Sequence, residues 1–202
     1  MKRPFSRNAL RSASLGLLSL FVVAIPAEAA TTNLDTSQCS GAEYFQPFLY
    51  AGDSNWYTQL PGDTYDSFSG AGWQLSGGAK VLSTTLADGK AGPVLDLPSG
   101  SKAVSPVICV TSEYPTARGI VRNVKGAEGI FFYVEYEGTN TWGKPKNTGQ
   151  IHGNGTAWTL VTPVNLQPEK TPGLQPMRIT LISGGSTSDF EVYNLFADPR
   201  MR

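Results

Sequence analysis

The residues with the clearest potential for acid–base chemistry are one histidine and two glutamates. His152 is the only histidine in the chain, and histidine titrates close to neutral pH. Glu135 and Glu137 stand two positions apart in a segment that alternates like a β-strand, so we expect them to share one face of it. Glycosidases hold two carboxyl groups about 5–10 Å apart on opposite sides of a bound sugar. Neighbours on one strand fit that geometry poorly, and a solvated strand face is the favoured interpretation.

Ser54 is a candidate nucleophile because Gly52-Asp53-Ser54-Asn55 resembles the nucleophile block of GDSL-type hydrolases. A serine nucleophile needs a base, and the base needs an acid that orients it. That family places the acid three positions before the histidine, and Gly149 occupies this position here. Those hydrolases are also α/β proteins. We therefore interpret the segment as a surface turn.

Gln150-Ile151-His152 resembles a motif of alginate-lyase-like jelly rolls. The resemblance implies that Gln150 would neutralise a uronate carboxylate and that His152 would act as the base. The Arg-x-Glu-Leu-Arg and Tyr-x-Lys-x-Gly-x-Tyr-x-Gln motifs of those enzymes are absent from the chain. A polysaccharide lyase therefore remains a minor alternative, and a non-catalytic role is favoured.

Residues 1–29 have the layout of a secretory signal peptide. A basic start is followed by an uncharged apolar run over residues 13–25 and by Ala27-Glu28-Ala29, a small-x-small cleavage site. As a helix this run would rise only ~20 Å, and the hydrocarbon core of a bilayer is ~30 Å thick. We therefore predict a secreted, extracellular protein with a single domain over residues 30–202 and no membrane span after cleavage.

The charge of the predicted mature chain argues against nucleic acid as a partner. Removing the four basic residues and the one acidic residue of the first 29 leaves 12 basic and 15 acidic residues. The remaining basic residues form no stripe, which nucleic-acid binding would need.

The two cysteines, Cys39 and Cys109, are expected to form a disulfide because exported proteins usually oxidise such pairs. Closing a loop of this length would stabilise the fold by roughly 4 kcal/mol in the chain-entropy account. Two cysteines and one distant histidine are too few for a zinc site, so no metal is predicted.

The secondary-structure signals favour an all-β protein. The chain has 22 glycines and 14 prolines, which separate short alternating runs such as residues 130–136 and 177–183. Many short strands between turns are typical of an antiparallel β-sandwich or barrel. Trp73 shares a face with Leu75 and is predicted to lie in the core, and Trp56 is also expected to be buried.

Three segments resemble known jelly-roll proteins. Residues 62–83 (GDTYDSFSGAGWQLSGGAKVLS) and the closing DFEVYNLFADPR resemble carbohydrate-binding modules of the galactose-binding-like type. SPVICVTSEYPTARGIVRN and the closing strand also resemble a group of secreted bacterial proteins of unassigned function. The resemblance implies an antiparallel β-sandwich of jelly-roll type and a carbohydrate-binding role. Many of these modules hold a structural calcium, but Tyr193-Asn194 stands where their closing strand carries Asp-Asp, so no metal or cofactor is predicted.

A binding face follows if the strands pair as in those modules. Arg118, Tyr133, Glu135 and Arg178 would then line one exposed sheet, where rings and charged groups suit sugars. The alternative is ordinary cross-strand pairing of arginine with glutamate. The predicted ligand-binding residues are Arg118, Tyr133, Glu135, Trp142, His152 and Arg178, and Trp142 is expected to be exposed in a polar loop. The predicted ligand is a polysaccharide or cell-envelope glycan. The alternative function is an extracellular structural or protein-interaction domain.

Overall fold

The computed structural model describes residues 43–64, 67–113, 115–138, 141–167 and 173–198, all within one compact unit. These residues form strands and one short 3₁₀ turn, Leu49–Ala51. The strands are β1 Thr58–Gln59, β2 Asp63–Thr64, β3 Ser67–Phe68, β4 Gln74–Ser76, β5 Lys80–Thr85, β6 Ala91–Pro98, β7 Lys102–Val104, β8 Ile108–Val110, β9 Thr116–Lys125, β10 Ile130–Tyr136, β11 Lys146–Ile151, β12 Thr159–Leu160, β13 Val164–Asn165, β14 Gln175–Ser183 and β15 Asp189–Asp198.

The strands build two antiparallel sheets. The first sheet has seven strands in the order β12-β9-β15-β6-β5, with β1 on β15 and β13 on β9. The second sheet has six strands in the order β11-β10-β14-β7-β4, with β8 on β14. Strands β2 and β3 form a small hairpin. The chain passes repeatedly from one sheet to the other, as in β9 to β10 and β14 to β15. The predicted all-β antiparallel sandwich of jelly-roll type is confirmed.

The core lies between the sheets and is filled by alternate residues of the long strands. Ile130, Phe132 and Val134 of β10 point inward from the second sheet, and Phe190 and Val192 of β15 from the first. Burying each such side chain stabilises the fold by about 1.5–3 kcal/mol. The same alternation places the intervening residues of β10 on the outer face of its sheet.

Trp73 belongs to this core, as predicted. It is buried, its indole Nε1 donates to Pro61 O at 2.8 Å, and its ring meets Phe68 edge-on at 5.2 Å. The turn beneath it needs Gly62, which has φ 79° and where a Cβ would lie 2.9 Å from the indole. Trp73 therefore reports the fold and takes no part in a binding surface.

A smaller apolar cluster holds the segment 45–57 against the first sheet. Phe48, Tyr57 and Phe196 are fully buried there, with edge-on ring contacts of 5.1 to 6.5 Å. The prediction that Trp56 is buried is wrong, because 54% of it is exposed. Phe45 and Tyr57 form a backbone bridge that turns Tyr57 inward, so its chain neighbour faces outward.

Two sequence predictions concern residues that the structure does not describe. The signal peptide and Cys39 lie outside the described residues, so cleavage and the disulfide remain predictions. Cys109 lies half-buried on β8, paired in register with Pro176 of β14. Among the described residues, helices with the length and apolarity to cross a membrane are absent.

Candidate binding face

The outer face of the second sheet carries the main candidate surface. Strand β10 presents Phe131, Tyr133 and Glu135 on this face, and β14 presents Arg178, Thr180 and Ile182. The register pairs these residues one to one across the two strands, with Tyr133 opposite Thr180 and Glu135 opposite Arg178. Phe131, Tyr133 and Ile182 are half-buried, so their side chains remain in contact with solvent. We call this surface, formed by Phe131, Tyr133, Glu135, Arg178, Thr180 and Ile182, the outer face.

A three-membered stack closes one end of the outer face. An Arg178 Nη donates to Glu135 Oε2 at 2.5 Å, and the guanidinium carbon lies 4.0 Å from the centre of the Trp142 ring. Glu135 and Arg178 keep 11% and 25% of their side chains exposed. The cross-strand ion pair considered as an alternative is therefore present. It leaves part of the Arg178 side chain accessible to a ligand, whereas Glu135 is almost fully buried.

Trp142 is less exposed than expected because its loop folds back over the sheet. Trp142 forms a bridge with Glu137, and Gly143 N donates to Tyr136 O at 2.9 Å. These backbone contacts hold the half-buried indole against the Arg178 guanidinium. Cation–π contacts of this kind stabilise by about 0.5–2 kcal/mol. Trp142 is thus a fixed wall of the outer face and not a projecting platform.

Two rings at the opposite end of the sheet rest on glycine backbone. A Cβ on Gly129 would lie 2.5 Å from the His152 imidazole, and one on Gly184 would lie 3.0 Å from the Phe131 ring. His152 is exposed just beyond β11, and Gln150 of β11 is paired in register with Phe131. His152 therefore borders the outer face beside Phe131, as a flat polar ring next to an apolar one.

Arg118 does not belong to the outer face. It lies on β9, which pairs with β15 in the first sheet, so the sandwich separates it from Tyr133, Glu135 and Arg178. The expectation that Arg118 lines the same exposed sheet as these residues is wrong. Which sheet a strand joins depends on pairing between distant segments, and the local alternation of β9 does not reveal it.

Arg118 instead fastens the segment 45–57 to the first sheet. Its Nη1 donates to Asp53 Oδ2 at 2.5 Å and its Nε to Val161 O at 2.8 Å. Burial tends to raise the pKa of Asp53, but hydrogen bonds from Tyr57, Asn55 and Arg118 outweigh it and lower this pKa below its usual value. The same burial and the Asp53 carboxylate raise the pKa of Tyr57 to about 12. Asp53 is therefore ionised and structural, in keeping with the turn predicted for residues 52–55.

Three residues of the outer face are missing from the sequence prediction of the binding site. Phe131, Thr180 and Ile182 are not among the predicted ligand-binding residues, although period-two alternation along residues 130–136 and 177–183 places them on one face with Tyr133 and Arg178. The alternation of side chains along the strand could have identified Phe131, since it precedes Tyr133 by two positions and therefore lies on the same face. In the part of the chain that the structure describes, no set of three or more histidine, cysteine, aspartate or glutamate side chains is arranged to hold a metal ion.

The arrangement suits a ligand with both apolar and polar surfaces. Tyr133 and Phe131 are spaced two residues along one strand, about 7 Å apart. They offer ring faces and, in tyrosine, a hydroxyl that donates and accepts. The Arg178–Glu135 pair adds planar donors and acceptors beside them. Sugar rings have this combination of apolar faces and hydroxyl edges.

Several solved structures that resemble this chain are carbohydrate-binding modules. One is the CBM22-1 xylan-binding domain from Paenibacillus barcinonensis, with 15% identity, a TM-score of 0.45, and coverage of 65% of this chain and 88% of that one. The C-terminal CBM6 of a laminarinase from Zobellia galactanivorans has 17% identity, a TM-score of 0.37 and coverage of 62% and 90%. The family 11 module from Clostridium thermocellum, solved with a β-1,3-1,4-mixed-linked tetrasaccharide, has 13% identity, a TM-score of 0.38 and coverage of 65% and 91%.

These likenesses concern the fold alone. No protein-family profile matches the chain, and no curated protein matches it by sequence.

Proposed function

We propose that this protein is a secreted, non-catalytic binding module that holds a carbohydrate chain on the outer face of its second sheet. The observation that carries the proposal is the row of half-buried rings, Phe131 and Tyr133, that leads along β10 to the Trp142–Arg178–Glu135 stack. The row runs along a strand direction, so it suits an extended ligand with repeated units. A polysaccharide or cell-envelope glycan has that form.

The rigidity of the outer face supports a binding role. The ion pair and the cation–π contact fix Arg178, and the backbone bridge between Glu137 and Trp142 fixes the indole. A surface that is already ordered loses little conformational entropy when a ligand binds. Aromatic side chains add contact area at a low entropy cost, because they have only two rotatable bonds.

The test is a binding screen of the purified protein against soluble polysaccharides by affinity electrophoresis, followed by calorimetry on any that bind. Each assay is run with calcium and with a chelator. We expect at least one polysaccharide to bind, and we expect Tyr133→Ala to weaken it about tenfold, the loss of roughly 1.4 kcal/mol of ring contact. Trp142→Ala should also weaken binding, because Arg178 loses the ring that orients it.

Trp56→Ala is the matched control. It removes a tryptophan that is 54% exposed but belongs to the segment packed on the first sheet. Equal loss of affinity in Trp56→Ala and Trp142→Ala would argue against the outer face. A folded protein that binds none of the polysaccharides would contradict the carbohydrate proposal itself.

Export is part of the proposal and has its own test. We infer that residues 1–29 are removed on secretion. Mass spectrometry of protein from the culture medium should therefore give an N-terminus at Ala30. A chain that stays inside the cell with Met1 intact would contradict it.

A protein-interaction role is the second candidate, and one observation favours it. Tyr44, Leu49, Tyr50 and Trp56 are large side chains that are 41 to 71% exposed within one short segment. Exposed apolar groups gathered in this way often mark contact surfaces. Crosslinking of the wild-type protein and of a Leu49→Ala, Trp56→Ala double variant should give the same monomer pattern if carbohydrate binding is the main role.

A further inference from the structure

A cavity of about 300 Å³ lies on the opposite side of the sandwich from the outer face. Its lining includes Phe48, Tyr50, Ile120, Tyr193, Asn194 and Phe196. Phe48 and Tyr50 come from the segment 45–57, and the others come from β9 and β15 of the first sheet. Ligand pockets in proteins begin at about this volume, which is enough for a single small ring. We call this space the bulge cavity.

A β-bulge in β15 creates the space. The register of β15 on β9 shifts between Tyr193 and Phe196, and Asn194 has φ 52°, in the left-handed region. A regular strand would place residues 193 and 196 on opposite faces. The bulge lets Leu195 join the main core and turns Tyr193 and Phe196 to the same side of the strand, three positions apart, where both rings are buried. The two rings are therefore spread and leave a gap above Asn194.

The neighbouring strand accommodates the bulge at a glycine. A Cβ on Gly119 of β9 would lie 2.8 Å from Leu195 Cδ2. Asparagine is among the few residues that tolerate the left-handed conformation. A strained backbone at the floor of a cavity is a pattern associated with ligand sites.

Aromatic side chains that line the bulge cavity are fixed by contacts with their neighbours. The Tyr193 hydroxyl accepts from Ala87 N at 3.2 Å, and its ring meets Trp158 edge-on at 4.8 Å. Phe48 and Phe196 meet edge-on at 5.2 Å. The cavity is thus shaped before any ligand arrives.

The nearby charges are neutralised by partners. Arg118 is paired with Asp53, and Arg122 is paired with Glu191 at 2.5 Å. Asp88, which lines the cavity at its edge, pairs with Lys90 at 2.8 Å. A hydrogen bond from Lys90 lowers the pKa of Asp88, so its carboxylate is ionised at neutral pH. The lining contains aromatic rings and an already paired carboxylate but no lysine or arginine, so it suits a neutral hydroxylated ligand and lacks a cation that would bind an anion.

Tyr50 completes the site as a ring at its mouth. It is 71% exposed although it also lines the cavity. The 3₁₀ turn Leu49–Ala51 places it there, and Gly52 closes this turn with φ 77°. An exposed aromatic ring beside a small, mostly apolar cavity is positioned to cover the face of a ligand ring.

We propose that the bulge cavity is a second, separate site that binds one neutral sugar ring, such as the end residue of a glycan chain. This inference rests on the proposed carbohydrate-binding function. It assigns the two surfaces different parts of a glycan: an extended stretch on the outer face and a single ring in the bulge cavity.

The test is an amide NMR titration of the purified, isotope-labelled protein with glucose, galactose, mannose and xylose, and with glucuronate as the charged comparison. At least one neutral sugar should shift the amide signals of Ala87, Asp88 and Asn194. Glucuronate should leave them unchanged. Tyr50→Ala should raise the dissociation constant about tenfold, whereas Leu49→Ala, its exposed neighbour outside the cavity, should leave it unchanged.

The outcomes separate this proposal from the first one. If a polysaccharide binds and Tyr133→Ala weakens it, but no sugar shifts the signals of the bulge cavity, the second site is overturned and the carbohydrate-binding function stands. Equal affinities of Tyr50→Ala and Leu49→Ala would also overturn it. If single sugars bind at the cavity while no polysaccharide binds the outer face, the second site stands and the outer-face proposal fails.

Discussion

Thr180 shows how a single residue of the outer face departs from ordinary packing. Its side chain lies outside the core on β14, opposite Tyr133, yet only 2% of the residue is exposed. Its Oγ1 is buried and has no hydrogen-bond partner among the described residues. Leaving a buried hydroxyl unpaired costs about 1–3 kcal/mol of folding free energy.

We predict that Thr180→Val stabilises the protein by about 1 kcal/mol, because a methyl group of similar size replaces the unpaired hydroxyl. Urea denaturation monitored by tryptophan fluorescence measures the change. Thr180→Ala serves as the control: it removes the hydroxyl and also loses a buried methyl group, so it should not stabilise. A destabilised Thr180→Val protein would mean that the hydroxyl has a partner, such as a bound water molecule, in solution.

The residues that share one face of the site were the part that the sequence predicted best. Tyr133, Glu135 and Arg178 were expected to share a face, and they do, because side chains alternate along a strand whatever its neighbours are. The Trp142 contact with Arg178 was not foreseen. It depends on the path of the loop before β11, and polar loop residues leave that path undetermined.

At the scale of elements, the alternation of inward and outward side chains predicts burial well within a regular strand, and it fails where the register changes. The placement of Arg118 failed because strand order in a sandwich is set by contacts between distant segments. The prediction that Trp56 is buried failed because a shift of one position decides whether Trp56 or Tyr57 faces the core. The bulge at Asn194 could have been suspected, since Tyr193 and Phe196 are both large aromatics at a spacing that a regular strand cannot place on one face.

The bulge of β15 also gives a prediction about conformation. Asn194 at φ 52° is tolerable for asparagine and for glycine, whereas a β-branched side chain there collides with its own backbone. We predict that Asn194→Val destabilises the protein by roughly 2 kcal/mol more than Asn194→Gly does, since the left-handed conformation costs a side-chain-bearing residue about 1–2 kcal/mol and branching adds to it. Thermal or urea unfolding of the two variants gives the comparison. Equal stabilities would mean that the bulge relaxes or moves when the residue changes.

At the scale of the whole molecule, charged side chains from adjacent strands of the first sheet meet on its outer surface. Lys80 of β5 lies 3.4 Å from Asp96 of β6, and Arg122 of β9 lies 2.5 Å from Glu191 of β15. Asp189 of β15 joins this group, and its buried Oδ1 has no hydrogen-bond partner among the described residues. Three carboxyl groups thus share two cations, and one proton can take the place of the missing positive charge.

This shortage of positive charge predicts how the stability of the protein depends on pH. Burial, and then the carboxylates of Asp96 and Glu191, raise the pKa of Asp189 to about 6, against about 3.9 in an unfolded chain. Because the folded state binds this proton more tightly, the stabilisation is complete below pH ~4 and is lost as the pH rises through ~6. Allowing for solvent screening, we expect the free energy of unfolding from this group to fall by about 1–2 kcal/mol over that interval. Urea unfolding from pH 4.0 to 7.5 should show this fall in the wild type and a smaller fall in Asp189→Asn. Asp88→Asn is the control. Because the pKa of Asp88 in the wild type is lowered, this variant should keep the wild-type dependence of stability on pH above pH 5. An Asp189→Asn protein with the full wild-type slope would show that another group carries the proton.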